Sequence, residues 1–194
     1  LVFSDLGALS PLDGRYYSSA KELNAYFSEA ALMQYRIYVE VEYLLALAKQ
    51  KEIRKRLLID DKEQSKLRKL YQSFDLNAAK EIKEIEKKIN HDVKAVEYYI
   101  QDKTRSSLHP WIHFALTSED VNNISYSLMW KHALEKVYLP SALSLQRKLL
   151  DLIKEHRKSP MLSLTHGQPA TPTTFGKEIR VFYNRIERQI VKLK

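Results

Sequence analysis

The 194-residue sequence contains no cysteine. Disulfides, thiolate nucleophiles and cysteine-ligated metals are therefore excluded. Glycine and proline are scarce, at 4 and 6 residues, so few positions interrupt an element and long helices are expected. No apolar run reaches the roughly eighteen residues of a membrane span. The start, Leu1-Val2-Phe3-Ser4-Asp5, has neither a basic region nor a long apolar stretch, so a secretory leader is not expected. The missing initiator Met is read as residues ahead of Leu1 either removed or left out of this sequence. A cytoplasmic setting fits these features. The sequence also lacks a Gly-rich phosphate loop and any Ser, His and Asp at a recognisable triad spacing.

Hydrophobic residues make up 44% and charged residues 29%, the balance of a globular chain able to bury a core. The net charge of +8 raises an anionic partner, either a nucleic acid or a small polyanion. The basic residues, however, alternate with acids, as in Lys80-Glu81-Ile82-Lys83-Glu84-Ile85-Glu86-Lys87-Lys88. That is the pattern of solvated helix faces, and no basic motif interleaved with aromatics occurs. Neither a nucleic acid nor a membrane is expected as a partner.

The expected fold class is all-α. Residues 1–19 read as an irregular arm, with turn chemistry at Ser10-Pro11-Leu12-Asp13-Gly14-Arg15. Leu32, Tyr35, Val39, Tyr43, Leu44 and Leu47 mark a helix face between Ser28 and Lys49. A shorter helix is expected from Asp61 to Tyr71. Ile82, Ile85, Ile89, Val93, Val96 and Ile100 continue the helical spacing, with a break expected at Asn90-His91-Asp92. Residues 104–118 read as irregular, and Ser118 as the N-cap of the helix carrying Val121, Ile124 and Leu128. Leu139 to Ile153 keep helical spacing past Pro140, which would kink the helix or open a new one. The last helix is expected to begin near Pro172 and to be still running at Lys194. No strand is expected. The domain reading is an N-terminal helical domain over 1–117, arm 1–19 included, and a long-helix bundle starting over 118–194.

Four clusters can carry chemistry. Ser163-Leu164-Thr165-His166-Gly167-Gln168-Pro169-Ala170-Thr171-Pro172-Thr173-Thr174 holds one histidine in a turn stiffened by Gly and Pro. A fixed imidazole there can give or take a proton near neutral pH; a turn histidine that only bonds the backbone is the plain alternative. His113-Phe114-Ala115-Leu116-Thr117-Ser118-Glu119-Asp120-Val121-Asn122-Asn123 reads as an ordinary helix start. Its free N–H groups and two hydroxyls also suit a carboxylate or phosphate. Asn90-His91-Asp92 reads as a helix break with Asp92 or Asn90 as the cap. Asp13-Gly14-Arg15-Tyr16 places an arginine fork on the arm, either solvated or gripping a phosphate. His109 and His113 are four apart with Pro110 between them, and no carboxylate completes a zinc site, so no metal is expected.

In order and rough spacing these four clusters resemble the adenylosuccinate lyase family of the fumarase/aspartase superfamily, over essentially the whole chain. The histidine loop is the specific part. Its continuation Gly-Gln-Pro-Ala-Thr-Pro-Thr-Thr-Phe-Gly-Lys-Glu points to the purine branch, and the run from Asn90 to its bacterial type. The resemblance implies a fumarase/aspartase-like helical fold, a homotetramer with shared active sites, and a small-molecule nucleotide substrate. It implies elimination of fumarate from adenylosuccinate and from the succinyl-carboxamide ribotide SAICAR, with no cofactor. Carried over, His166 is the general acid. Arg15 and Tyr16 hold the phosphate end, Asn90, His91, Asp92, Thr117 and Ser118 line the substrate site, and His113 supports them. The family's general base is a serine on a later Gly/Ser-rich loop that this sequence does not contain. The chain therefore reads as an N-terminal portion, expected by itself to be inactive and to associate. Two alternatives remain. Another fumarate-releasing lyase, such as argininosuccinate lyase, leaves the Pro-Ala-Thr-Pro-Thr-Thr continuation without a reason. A non-catalytic basic helical interaction domain predicts steeply salt-dependent binding and indifference to His166.

Overall fold

Ser28, Asp60 and Asp75 each stand just before a helix with a side chain that accepts a backbone N–H three residues on, from Ala31, Glu63 and Ala78. Each therefore starts a helix by satisfying a donor the helix itself leaves orphaned. These helices are α1 (Glu29–Leu47), α2 (Asp61–Gln72) and α3 (Leu76–Ile89), followed after a break by α4 (Asp92–Asp102). The computed structural model describes residues 8–53 and 55–193. Arm residues 1–7 lie outside the described part.

The rest of the arm forms a turn, and short helical pieces run from its end at Tyr17 on to Phe27. Residues 104–117 hold a 3₁₀ segment, Ser106–Trp111, ahead of α5 (Ser118–Ala133). α1 is the centre of this unit, with Met33, Ile37, Val41, Leu44 and Leu45 all buried. They pack with Leu67 of α2, Ile82 of α3, Val96 and Ile100 of α4, and Leu108 and Ile112 of the connection. A smaller cluster joins α1, α4 and α5 through Val39, Val93 and Val121. Burial of such aliphatic side chains stabilises by roughly 1.5–3 kcal/mol each.

The chain divides into two compact units, the first ending at Ala133 and the second starting at Leu134. The second unit opens with a π-helical segment, Leu134–Tyr138, directly before α6 (Leu139–Glu155), whose second residue is Pro140. The wider π turn is a physical answer to a proline that lacks an N–H and crowds the preceding turn. α6 packs on α7 (Phe175–Leu193). Gly176 lets the two backbones meet: its N–H donates to the His156 carbonyl at 3.0 Å.

Two sequence expectations are corrected here. The stretch expected to be free of strands forms an antiparallel hairpin, β1 (Pro160–Thr165) and β2 (Gln168–Thr174). The last helix begins at Phe175, while Pro172 lies in β2 opposite Leu162. Each strand of a two-stranded sheet keeps a free edge, so β2 tolerates Pro169 and Pro172 where a central strand would not. The register also shifts between Leu162 and Leu164, as at a bulge. The molecule is nonetheless mainly helical.

Candidate active site

In the first unit the Asn90 cluster and the start of α5 are tied to α1. Asn90 closes α3 in the left-handed region, φ 53°, its N–H bonded to the Glu86 carbonyl at 2.7 Å. The N-cap of α4 is His91, rather than the expected Asp92 or Asn90, which closes α3 instead: His91 Nδ1 accepts the Lys94 N–H at 3.2 Å. Asp92 Oδ1 accepts the Val93 N–H at 2.8 Å, and Oδ2 accepts Arg36 Nη2 at 2.7 Å. Arg36 Nε donates to Asn122 Oδ1 of α5 at 3.0 Å. The Arg36 side chain is 5% exposed and that of Asp92 52%. Desolvation works to raise the Asp92 carboxyl, but the Arg36 hydrogen bond, the Val93 N–H and the Arg36 charge outweigh it and hold the group below its ordinary value.

One turn along α1, Glu40 is also buried. It accepts the His113 N–H at 3.1 Å through Oε2 and pairs with His113 Nδ1 through Oε1. Burial pushes the Glu40 carboxyl up, against the downward pull of the His113 hydrogen bonds and charge. Beyond His113 the N-cap of α5 is Thr117 rather than the expected Ser118. The Thr117 hydroxyl accepts the Asp120 N–H at 3.3 Å, and Asp120 Oδ2 accepts the Thr117 N–H at 2.7 Å and its hydroxyl at 2.8 Å. This is a reciprocal capping box, with Asp in the place of the usual Glu. It turns the Asp120 carboxylate back onto the cap. The Thr117 N–H and hydroxyl hold that carboxyl below its usual range. Ser118 is the first helical residue and half-buried.

Arg15 and Tyr16 stand exposed on the arm, the guanidinium 5.7 Å from the Tyr16 ring centroid. Among the described residues no hydrogen bond ties them to the Asn90 cluster. Beyond the arm, Phe27 packs edge-on against Trp130 of α5 at 4.9 Å.

His166 belongs to the second unit. With Gly167 it forms the two-residue tip of the hairpin, between the paired Thr165 and Gln168, with φ of 52° and 75°. Both angles are positive, as a type I′ turn requires, and glycine meets that need at the second position. The imidazole is exposed. Among the described residues the non-glycine positions with positive φ are Asn90, His113, Ala115 and His166. Three of them are site candidates, and the fourth lies in the loop of one. Such conformations persist only where surrounding structure holds them, commonly at functional sites.

Arg36 and Glu40 were not singled out from sequence, nor was Asn122 within its run. An Arg and a Glu four apart on a helix read as an exposed ion pair. The usable signal was their setting, among Tyr35, Ile37, Val39 and Val41 in a run that is otherwise apolar. Among the described residues no three His, Asp or Glu gather as a metal site would, and no helix is long and apolar enough to cross a membrane.

Comparison with known proteins adds the family. The chain is 43% identical over 202 residues to the adenylosuccinate lyase of Dictyostelium discoideum, covering 100% of this chain and 43% of that protein. It is 45% identical over 193 residues to that of Legionella pneumophila strain Philadelphia 1, covering 97% and 42%. The corresponding figures for Escherichia coli K12 are 43% over 198 residues, covering 100% and 43%. The chain thus spans under half the length of these curated relatives. A crystal structure of a fumarate lyase from Mesorhizobium sp. BNC1 superposes with a TM-score of 0.72 at 18% identity, over 89% of this chain and 39% of that one, and supports the fold. A family model described as Lyase matches residues 14–194, so the chain belongs to that lyase family, and its curated relatives within it are adenylosuccinate lyases.

Proposed function

We propose that this chain is the N-terminal portion of an enzyme that eliminates fumarate from adenylosuccinate, giving AMP, and from SAICAR, giving its carboxamide product AICAR. The observation that carries this reading is the 43% identity to an adenylosuccinate lyase across the whole of this chain. In this elimination a base removes a weakly acidic proton beside a carboxylate. The C–N electron pair then leaves on nitrogen, which is a poor leaving group unless protonated. His166 supplies that proton from a hairpin tip that presents the imidazole to solvent. Arg15 and Tyr16 take the phosphate end, for which an exposed guanidinium fork is suited. Asn90, His91, Asp92, Thr117 and Ser118 line the substrate site, with His113 held beside them. Residues 1–117 serve as the N-terminal domain and 118–194 as the start of the long-helix bundle. The enzyme works in the cytoplasm as a homotetramer with shared sites, without a cofactor.

The test is fumarate release by a full-length protein carrying this chain and by its His166→Gln variant. Loss of a general acid is expected to lower turnover by about a hundredfold or more. Turnover near the wild-type value with both substrates would remove His166 from this role. A wild-type protein that leaves both substrates intact would remove the activity itself.

A further inference from the structure

Arg36 is a charged residue in a place where the fold has no stability reason to keep one. It is 4% exposed, in the middle of α1. A buried charge is weak evidence for stability, because a well-packed apolar side chain of similar size does as well or better. Its guanidinium is nevertheless fully directed. Nη2 holds Asp92, 56 residues away, and Nε holds Asn122, 86 residues away. Beside these three polar residues runs an apolar set of the same three helices, Val39, Val93 and Val121. Val93 and Val121 each adjoin the residue that Arg36 grips. The valines bring α1, α4 and α5 together, but apolar contact is not directional and tolerates small slides and rotations. Two hydrogen bonds from one planar fork do not.

We propose that Arg36 is a positioning residue for the substrate site. It sets the exposed Asn90-His91-Asp92 segment in register with the start of α5, where Thr117 and Ser118 stand. The inference rests on the proposed function. Arg36 reaches the substrate only through the groups it holds. Asp92 has one carboxylate oxygen on Arg36 and the other on its own helix start, so its side chain has a single orientation while half its surface faces solvent. Asn90 depends on the same anchor, since its left-handed backbone joins α3 to that segment. Glu40 works alongside, one turn on, by fixing His113.

The experiment compares a full-length wild-type protein carrying this chain with its Arg36→Met and Arg36→Lys variants. Methionine has similar length, removes both hydrogen bonds and leaves Asp92 in contact with water. Lysine keeps the charge but, as a single ammonium, lacks the fork that spans both partners. Both variants are expected to raise KM for adenylosuccinate and to lower kcat/KM, by about a hundredfold for Met from a misplaced site and by less for Lys. Melting temperature should stay close to wild type, and amide exchange should quicken at residues 90–94 rather than through α1. A lower melting temperature with unchanged kcat/KM per folded protein would make Arg36 merely structural and overturn the inference. Variants that match wild-type KM, kcat and exchange would overturn it as well. If Arg36→Met fails to fold, Arg36→Lys decides on the same readouts. A wild-type protein that releases no fumarate would instead overturn the proposed function, and the substrate role of Arg36 with it.

Discussion

Glu40 receives both the backbone N–H and the ring Nδ1 of His113, a residue 73 positions later in the chain. One buried carboxylate thus holds the left-handed backbone of His113, φ 59°, and the direction of its imidazole. Glu40→Ala leaves a half-buried N–H without its acceptor. The expected loss is about 1–3 kcal/mol of stability, read by denaturant unfolding, with Glu40→Gln losing less because an amide oxygen still accepts one bond. Burial raises the Glu40 carboxyl in the fold, so the folded state binds its proton more readily than the unfolded one. The stability linked to that proton is present below the unfolded pKa and lost as pH rises through the folded one, whereas the His113 bonds favour the ionised form. Equal stability of wild type and Glu40→Ala would show that the pair holds nothing.

Asp92 behaves in the opposite sense. Its carboxyl is held below the ordinary value because the Arg36 and Val93 bonds outweigh its desolvation. Its contribution is present above the unfolded pKa and is lost as pH falls through the lower folded value. Half-exposed as it is, the effect is small and falls on the segment more than on global stability. Amide exchange at residues 90–94, corrected for intrinsic rate, should quicken on acidification in wild type and hardly change in Asp92→Asn. The same acid response in both proteins would assign it to another group.

Gly167 offers a way to disturb His166 without touching the imidazole. A Cβ at this position meets nothing within 4 Å, yet φ is +75°. Gly167→Ala therefore adds strain without a clash, about 1–2 kcal/mol. We expect the hairpin tip to shift, and turnover to fall much more than melting temperature does. Wild-type turnover in this variant would mean that the tip conformation is irrelevant to His166.

Gly176 poses the reverse case. A Cβ there would lie 2.8 Å from the Ile153 carbonyl oxygen, 2.9 Å from that of His156 and 3.0 Å from the Arg157 Cα. All are backbone atoms that cannot rotate away, so α7 must move from the end of α6. Gly176→Ala is expected to destabilise by roughly 1–3 kcal/mol, as overpacking does, seen as a lower melting temperature. An unchanged melting temperature would show that the two helices separate freely.

The helices were legible in the sequence because their signals are local. Ser28 sits directly before a helical stripe, and the turn at Asn90-His91-Asp92 interrupts one, so caps and periodicity sufficed to mark α1, α3 and α4. The candidate residues were legible as motifs, and the His166-Gly167 turn as turn chemistry. The hairpin around that turn was not. Its strands do not alternate apolar and polar residues toward a buried face, both are largely exposed, and β2 carries two prolines. Only the pairing of one strand with the other defines them. The N-cap at Thr117 depended on which hydroxyl Asp120 turned back to meet. Arg36 and Glu40 went unread for a deeper reason. Whether a charge on a helix faces water or the interior depends on the partners waiting inside, and Asp92, Asn122 and His113 lie 56, 86 and 73 residues away. Local sequence determined where the helices and the reactive groups are; only long-range packing, with the cost of leaving a buried charge unpaired, decided which charged side chains hold them in place.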